Sequence, residues 1–149
     1  MAYTLGLNAK IYVNTGTTQT PTWTELDLAM DVTINMEKAT TDISTRASAG
    51  WRENAATLKD MTVDTTLRYD VTNAGFDKVK DVFLASGDTV EVVALDGDIG
   101  TSGQEGIRFT ADVSNFTRNE PLEEALTVDV TFIPVPGAAA PAWVTTPLT

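Results

Sequence analysis

Cysteine and histidine are both absent from the 149 residues. Without cysteine no disulfide framework can form and thiol chemistry is excluded. Without histidine the commonest general base and the commonest transition-metal ligand are missing. Basic residues are scarce as well: ten Lys and Arg stand against 21 Asp and Glu, a formal charge of −11. A chain this acidic repels nucleic acid, because binding phosphates needs clustered Lys or Arg. The same charge keeps it soluble through self-repulsion. No window approaches the ~18 consecutive apolar residues of a membrane span. The opening MAYTLGLNAK lacks the charged start and apolar run of a signal peptide. The expectation is a protein made in a cytoplasm and kept there until something releases it, with no membrane binding of its own.

What is present fits a globular chain. Apolar residues make up 42% and charged residues 21%, and the length suits one domain spanning 1–149 with a real core. The clearest pattern runs from Gly106 to Pro136. Ile107, Phe109, Ala111 and Val113 alternate with Arg108, Thr110, Asp112 and Ser114, and Leu126, Val128, Val130 and Phe132 alternate with Thr127, Asp129 and Thr131. Period-two alternation predicts two strands with one dry and one wet face. Asn119, Glu120 and Pro121 punctuate the join.

Earlier strands are predicted at Lys10–Asn14, at Trp23–Leu28, around Val32, Ile34 and Met36, and at Lys59–Asp70, where Met61, Val63, Leu67 and Tyr69 share a face with Thr65. A further strand at Thr89–Leu95 places Val90, Val92 and Ala94 together, and the glycine-rich Asp96–Glu105 reads as a hairpin loop. One helix is predicted over about 73–86. Asn73 is its N-cap, Asp77 sits near its positive end, Phe76, Val79 and Phe83 form its apolar face, and Gly87 ends it. The fold expected is mainly β: an antiparallel β-sandwich or barrel over 10–133 with one packed helix. An N-terminal arm (1–9), a long unpatterned loop (38–58) and a Pro- and Ala-rich C-terminal arm (134–149) flank or interrupt it. Trp51 between Arg46 and Arg52 looks like an anchor in that loop, and Trp143 and Val144 give the C-terminal arm something to dock with.

Chemical motifs do not materialise. Asp96-Gly97-Asp98 suggests calcium, but the positions where an EF-hand needs an oxygen ligand and then glycine hold Gly100 and Thr101. Glu123 and Glu124 lack the cleft-lining aromatics that a glycosidase pair would use. No glycine-rich loop leads from a strand into a helix, so phosphate-binding fingerprints are missing. Neither an enzyme nor a cofactor is expected. One constellation stands out. The wet faces of four strands read Asp31/Thr33/Asn35/Glu37, Asp60/Thr62/Asp64/Thr66/Arg68/Asp70, Arg108/Thr110/Asp112/Ser114 and Thr127/Asp129/Thr131, with no lysine in any set. Such a surface reads either as ordinary solvent-facing sheet, where threonine is favoured by β-propensity, or as one that something anionic slides past without sticking.

With this layout the chain resembles the major tail tube proteins of long-tailed bacteriophages and gene transfer agents. The resemblance covers nearly the whole chain and rests on the strand-rich core, the helix at 73–86, the mid-chain segment 38–58, which matches the family's stacking loop, and the closing NEPLEEALTVDVTFIP at Asn119–Pro134. It implies six-subunit rings stacked head to tail into a hollow virion tube, contacting tape-measure, terminator and tail-tip proteins. DNA would pass through the lumen without specific binding. Under that reading Asp31, Thr33, Glu37, Asp60, Asp64, Asp70, Asp112 and Asp129 are lumen-facing candidates. Arg46, Trp51 and Arg52 serve ring stacking, and Trp143 and Val144 dock the C-terminal arm. The alternatives are a capsid decoration or adhesin-type β-sandwich, and a type VI secretion tube-like protein.

Overall fold

A computed structural model describes residues 3–17, 19–85, 87–135 and 139–148. Among the described residues eight strands and one α-helix follow each other: β1 (Lys10–Asn14), β2 (Trp23–Glu25), β3 (Ala29–Asp42), β4 (Asn54–Arg68), α1 (Ala74–Leu84), β5 (Val90–Leu95), β6 (Glu105–Asn119), β7 (Thr127–Pro134) and β8 (Ala142–Thr145). The strands form one antiparallel sheet in the order β2-β1-β5-β6-β7-β4-β3, and β8 pairs with the first residues of β6. The sheet curls far enough that Val32 and Ile34 of β3 line one groove of about 220 Å³ together with Ile11 and Ala94 of β1 and β5. Its terminal strands β2 and β3 do not pair, so the barrel stays open.

The alternating apolar residues build the core as their period requires. Val63 and Leu67 of β4, Val92 of β5, Phe109 and Val113 of β6, and Val128, Val130 and Phe132 of β7 pack on one side of the sheet against Phe76, Val79 and Val82 of α1. The helix starts where its cap chemistry predicts. The Asn73 side-chain oxygen accepts from the Phe76 N–H at 3.0 Å, and Asp77 lies in the first turn. Its end differs from expectation: Ala85 is the C-cap in extended backbone, and Gly87, with φ of 87°, turns the chain beyond it. Phe83 is only half inside. It stacks on Phe116 at 5.7 Å between centroids, while Val82 takes the buried position.

A second apolar layer covers the opposite side of β1 and β5. Tyr12, Val93 and Leu95 are buried there, with Trp23, Ile99, Val144 and Leu148 packed around them. This explains the near-continuous apolar run Val90–Leu95, since a strand buried on both faces does not alternate. It also corrects the expectation for the C-terminal arm. Residues 142–145 form β8 on the free edge of β6, in line with β7 and beyond its end. The Thr146 hydroxyl then accepts from the Gln104 N–H at 2.9 Å and donates to the Thr101 carbonyl at 2.5 Å. Residues 136–138, also placed in that arm, and Met1 and Ala2 of the N-terminal arm lie outside the described residues.

Among the described residues, Thr65 Oγ1 is the buried side-chain polar atom left without a hydrogen bond. It lies opposite Val32 and Val130 on the core side of β4. A buried unpaired hydroxyl costs about 1–3 kcal/mol. Thr65→Val is therefore expected to stabilise the fold by about 1 kcal/mol, raising the thermal midpoint in circular dichroism by roughly 2–4 °C.

Candidate functional site: an acidic sheet face and a projecting hairpin

The strand register brings most of the polar positions together. Thr33 pairs with Asp64, Asn35 with Thr62 and Glu37 with Asp60 across β3 and β4. Asp64 pairs in turn with Thr131, and Thr66 with Asp129, across β4 and β7. Asp31, Thr33, Asp64, Asp129 and Thr131 line one shallow depression on the face away from α1. The carboxylates there are held in place. Asp64 accepts from Asn35 Nδ2 at 3.2 Å and from the Thr131 hydroxyl at 2.7 Å. Asp129 accepts from the Thr66 hydroxyl at 2.8 Å and from Asn119 Nδ2 at 2.9 Å. Glu37 directly opposite Asp60 is a like-charge pair, which costs stability in a sheet. Among the described residues neither Glu37 nor Asp60 makes an ion pair.

One of the expected positions falls elsewhere and another lies at the margin. Asp70 is beyond the end of β4 and closes a turn, its carboxylate accepting from the Thr72 N–H at 2.9 Å and hydroxyl at 2.6 Å. A strand pattern carried to Asp70 overran the sheet by two residues. Asp112 shares the face but sits at its margin, opposite Ile133 and next to a bulge at Ser114, and accepts from the Val113 N–H at 2.8 Å. Arg108 is also outside the acidic patch. It pairs with Glu91 at 3.1 Å and lies over the Trp23 ring at 5.2 Å, on the apolar second layer. The bulge reverses the alternation of β6, so Asn115, Thr117 and Asn119 continue the polar face opposite Thr131, Asp129 and Thr127.

The segment 38–58, expected as an unpatterned loop, is about half strand, at 38–42 and 54–58. Thr40, Thr41 and Asp42 pair with Ala56, Ala55 and Asn54, and only 43–53 join them. From Lys38 to Leu58 Ser48 is the one buried residue and Ala55 is half-buried. With no dry face there is no period-two signal to read, although the strands stay paired past a register shift between Lys38 and Thr40. The tip is nevertheless ordered. The Thr45 N–H donates to Ser48 Oγ and the Thr45 hydroxyl accepts from the Ala47 N–H, a reciprocal cap on a 3-10 turn at Arg46–Ser48. Ala49 and Gly50 follow at φ of 55° and 84°, and Trp51 emerges 79% exposed between exposed Arg46 and Arg52. At the other named anchor, Trp143 Nε1 donates to Glu105 Oε1 at 3.3 Å while its ring stays exposed, and Val144 is half-buried in the second layer.

The turn carboxylates give the fold an acid dependence. Asp42 is held below the ordinary value of 3.8 by hydrogen bonds from Ser44, Asp70 by those from Thr72, and Asp98 by the Gly100 N–H. A depressed folded pKa contributes stability that is complete above the ordinary value and lost as pH falls through the folded value. The thermal midpoint is expected to be flat from neutrality down to about pH 5 and to fall below pH 4, as read from melts across a pH series.

Among the described residues no helix is long and apolar enough to cross a membrane, and no three acidic side chains are grouped to hold a metal ion. No family model and no curated protein matches the chain. Solved structures do. The tail of an empty gene transfer agent particle, with C6 symmetry, aligns at a TM-score of 0.70 and 12% identity over 90% of this chain and 95% of that one. The SPP1 tail tube aligns at 0.72 and 10% identity over 96% and 80%. A chain of the anti-feeding prophage baseplate aligns at 0.65 and 8% identity over 99% of both. The chain has, over nearly its whole length, the fold of these tail and tail-tube proteins.

Proposed function

We propose that the chain is a structural subunit of a phage-type tail tube, found in the virion tail. Copies of it form six-membered rings that stack into a hollow tube, and DNA passes through the lumen. The observation that carries this reading is the fold match, end to end, to the tail of a C6-symmetric particle and to a tail tube. The polar face of β3, β4 and β7 suits the lumen. DNA carries about one charge per 1.7 Å of axis, and a wall of Asp and Thr without lysine gives it nothing to grip. Arg68 on that face is the expected exception, opposite Thr127. The long free edge of β3 is a pairing hazard in a monomer, and closing it against a neighbouring copy removes the hazard. The role is architectural and not catalytic. Tape-measure, terminator and tail-tip proteins are its expected neighbours.

Negative-stain electron microscopy of the concentrated protein tests this directly. Rings with a six-fold end view, stacked into hollow tubes, are the expected result. Small monodisperse particles at every concentration would reject it in favour of a decoration or adhesin module. The baseplate match favours one variant of the reading, a ring at the base of such a tube. That variant gives single rings that never stack.

A further inference from the structure

Two loops of this chain are unusually exposed and opposite in character. The first is the tip 43–53, where Trp51 is 79% exposed between Arg46 and Arg52, neither of which has an ion pair among the described residues. Glu53 is the only acid in that tip. The second is the β6–β7 connection, where Leu122 is 99% exposed and is flanked by Glu120, Glu123 and Glu124. Glu120 is paired with Arg118 at 2.8 Å, which leaves Glu123 and Glu124 as unpaired exposed acids. A large apolar side chain held fully in water is costly, at about 25 cal/mol per Å² that could be buried. Each loop therefore carries an apolar knob flanked by a pair of like charges, Arg46 and Arg52 on one and Glu123 and Glu124 on the other, and the signs are complementary.

The register fixes where these loops lie. The tip joins the far end of β3 to the start of β4 at Asn54. The acidic loop joins Asn119 to Thr127, and Thr127 pairs with Arg68, the last residue of β4. The two loops thus sit at opposite ends of β4, separated by about 45 Å at ~3.3 Å per residue. They cannot meet within one copy. Translating one copy along the strand direction brings the tip of one onto the acidic loop of the next. Because the two surfaces differ, the contact is heterologous and repeats without closing.

We infer that the Arg46/Trp51/Arg52 tip of one copy docks on the Leu122/Glu123/Glu124 loop of the next, as the axial contact between successive layers. This deepens the tube reading and rests on it for the ring, but the contact itself can be tested separately. The chain contains no cysteine, so introduced thiols are unique. Glu53→Cys and Ala125→Cys place one thiol beside each surface and leave all six contact residues intact. Both positions are exposed.

With a short bis-maleimide, the double variant is expected to give a covalent ladder of dimers, trimers and longer species. The two single variants mixed should stop at dimers, and each single variant alone should stay monomeric. Adding Arg46→Glu and Arg52→Glu should reduce the ladder at least tenfold. Adding Glu123→Lys and Glu124→Lys to that same chain should restore it, which general damage to the tip would not allow. The same samples are imaged. Rings or tubes without the ladder, or with dimers from Glu53→Cys alone, overturn the proposed contact and leave the tube reading standing. A ladder without rings supports the contact and rejects the tube. Neither ladder nor assemblies rejects both.

Discussion

Replacing residues 43–53 by an Asn-Gly turn, so that two residues join Asp42 to Asn54, is expected to abolish axial assembly and leave the domain folded. Asp42 and Asn54 already pair at the end of the ladder, and Asn-Gly suits a two-residue hairpin turn. The deleted residues contribute nothing to either core layer, and Ser48 is the one buried side chain among them. The thermal midpoint should therefore move by only about 2–4 °C. Assembly is another matter. A buried Trp at an interface is worth about 2 kcal/mol or more, roughly thirtyfold in affinity, and in the proposed tube each ring would repeat the contact once per copy. Sedimentation velocity should show material no larger than a single ring at concentrations where the parent chain forms filaments. Filaments of normal length from the shortened chain would show that stacking uses other surfaces.

The contrast between this hairpin and the core explains what the amino-acid pattern made legible. Val63, Leu67, Val128, Val130 and Phe132 were readable as core because each lies on a strand with one dry face, where burial imposes a period of two. The N-cap at Asn73 was readable because an orphan N–H has few chemical remedies. The distal hairpin imposes no such constraint. Its strands are wet on both faces, so Lys38–Asp42 and Asn54–Leu58 carry ladder bonds without any pattern of side chains. The short β8 was hidden for a related reason: its pairing with Glu105–Arg108 is a tertiary event that Ala142 and Thr145 do not announce. The bulge at Ser114 did leave a trace. Val113 and Phe116 are three apart, an interval that no uninterrupted strand allows on one face, yet both pack toward α1. The polar face was legible residue by residue except at Asp70, where the strand had ended, and Arg108, where a second apolar layer intervened.

If that polar face lines a DNA passage, reversing its charge should turn a smooth wall into a sticky one. Asp64 and Asp129 are the positions to change, because both sit centrally in the depression and their carboxylates are fixed by two hydrogen bonds each. Lysine cannot accept those bonds, so Asp64→Lys with Asp129→Lys carries a stability cost of about 0.5–1.5 kcal/mol per bond lost. The Asp64→Asn, Asp129→Asn pair removes the charge and keeps one of the two acceptor oxygens at each position. Tubes of the parent chain and of the asparagine pair are expected to let duplex DNA pass or wash out at physiological salt. Tubes of the lysine pair should retain it. Retention should weaken steeply as salt rises, since each phosphate neutralised adds about −0.9 to the slope of log affinity against log salt. Particles carrying the lysine pair should assemble but deliver DNA at least tenfold less efficiently. Equal retention by all three tubes would place the lumen on another face of the sheet. Equal delivery despite retention would mean that the force driving the DNA exceeds what two lysines per copy can oppose, and that the acidic wall serves entry or assembly in place of passage.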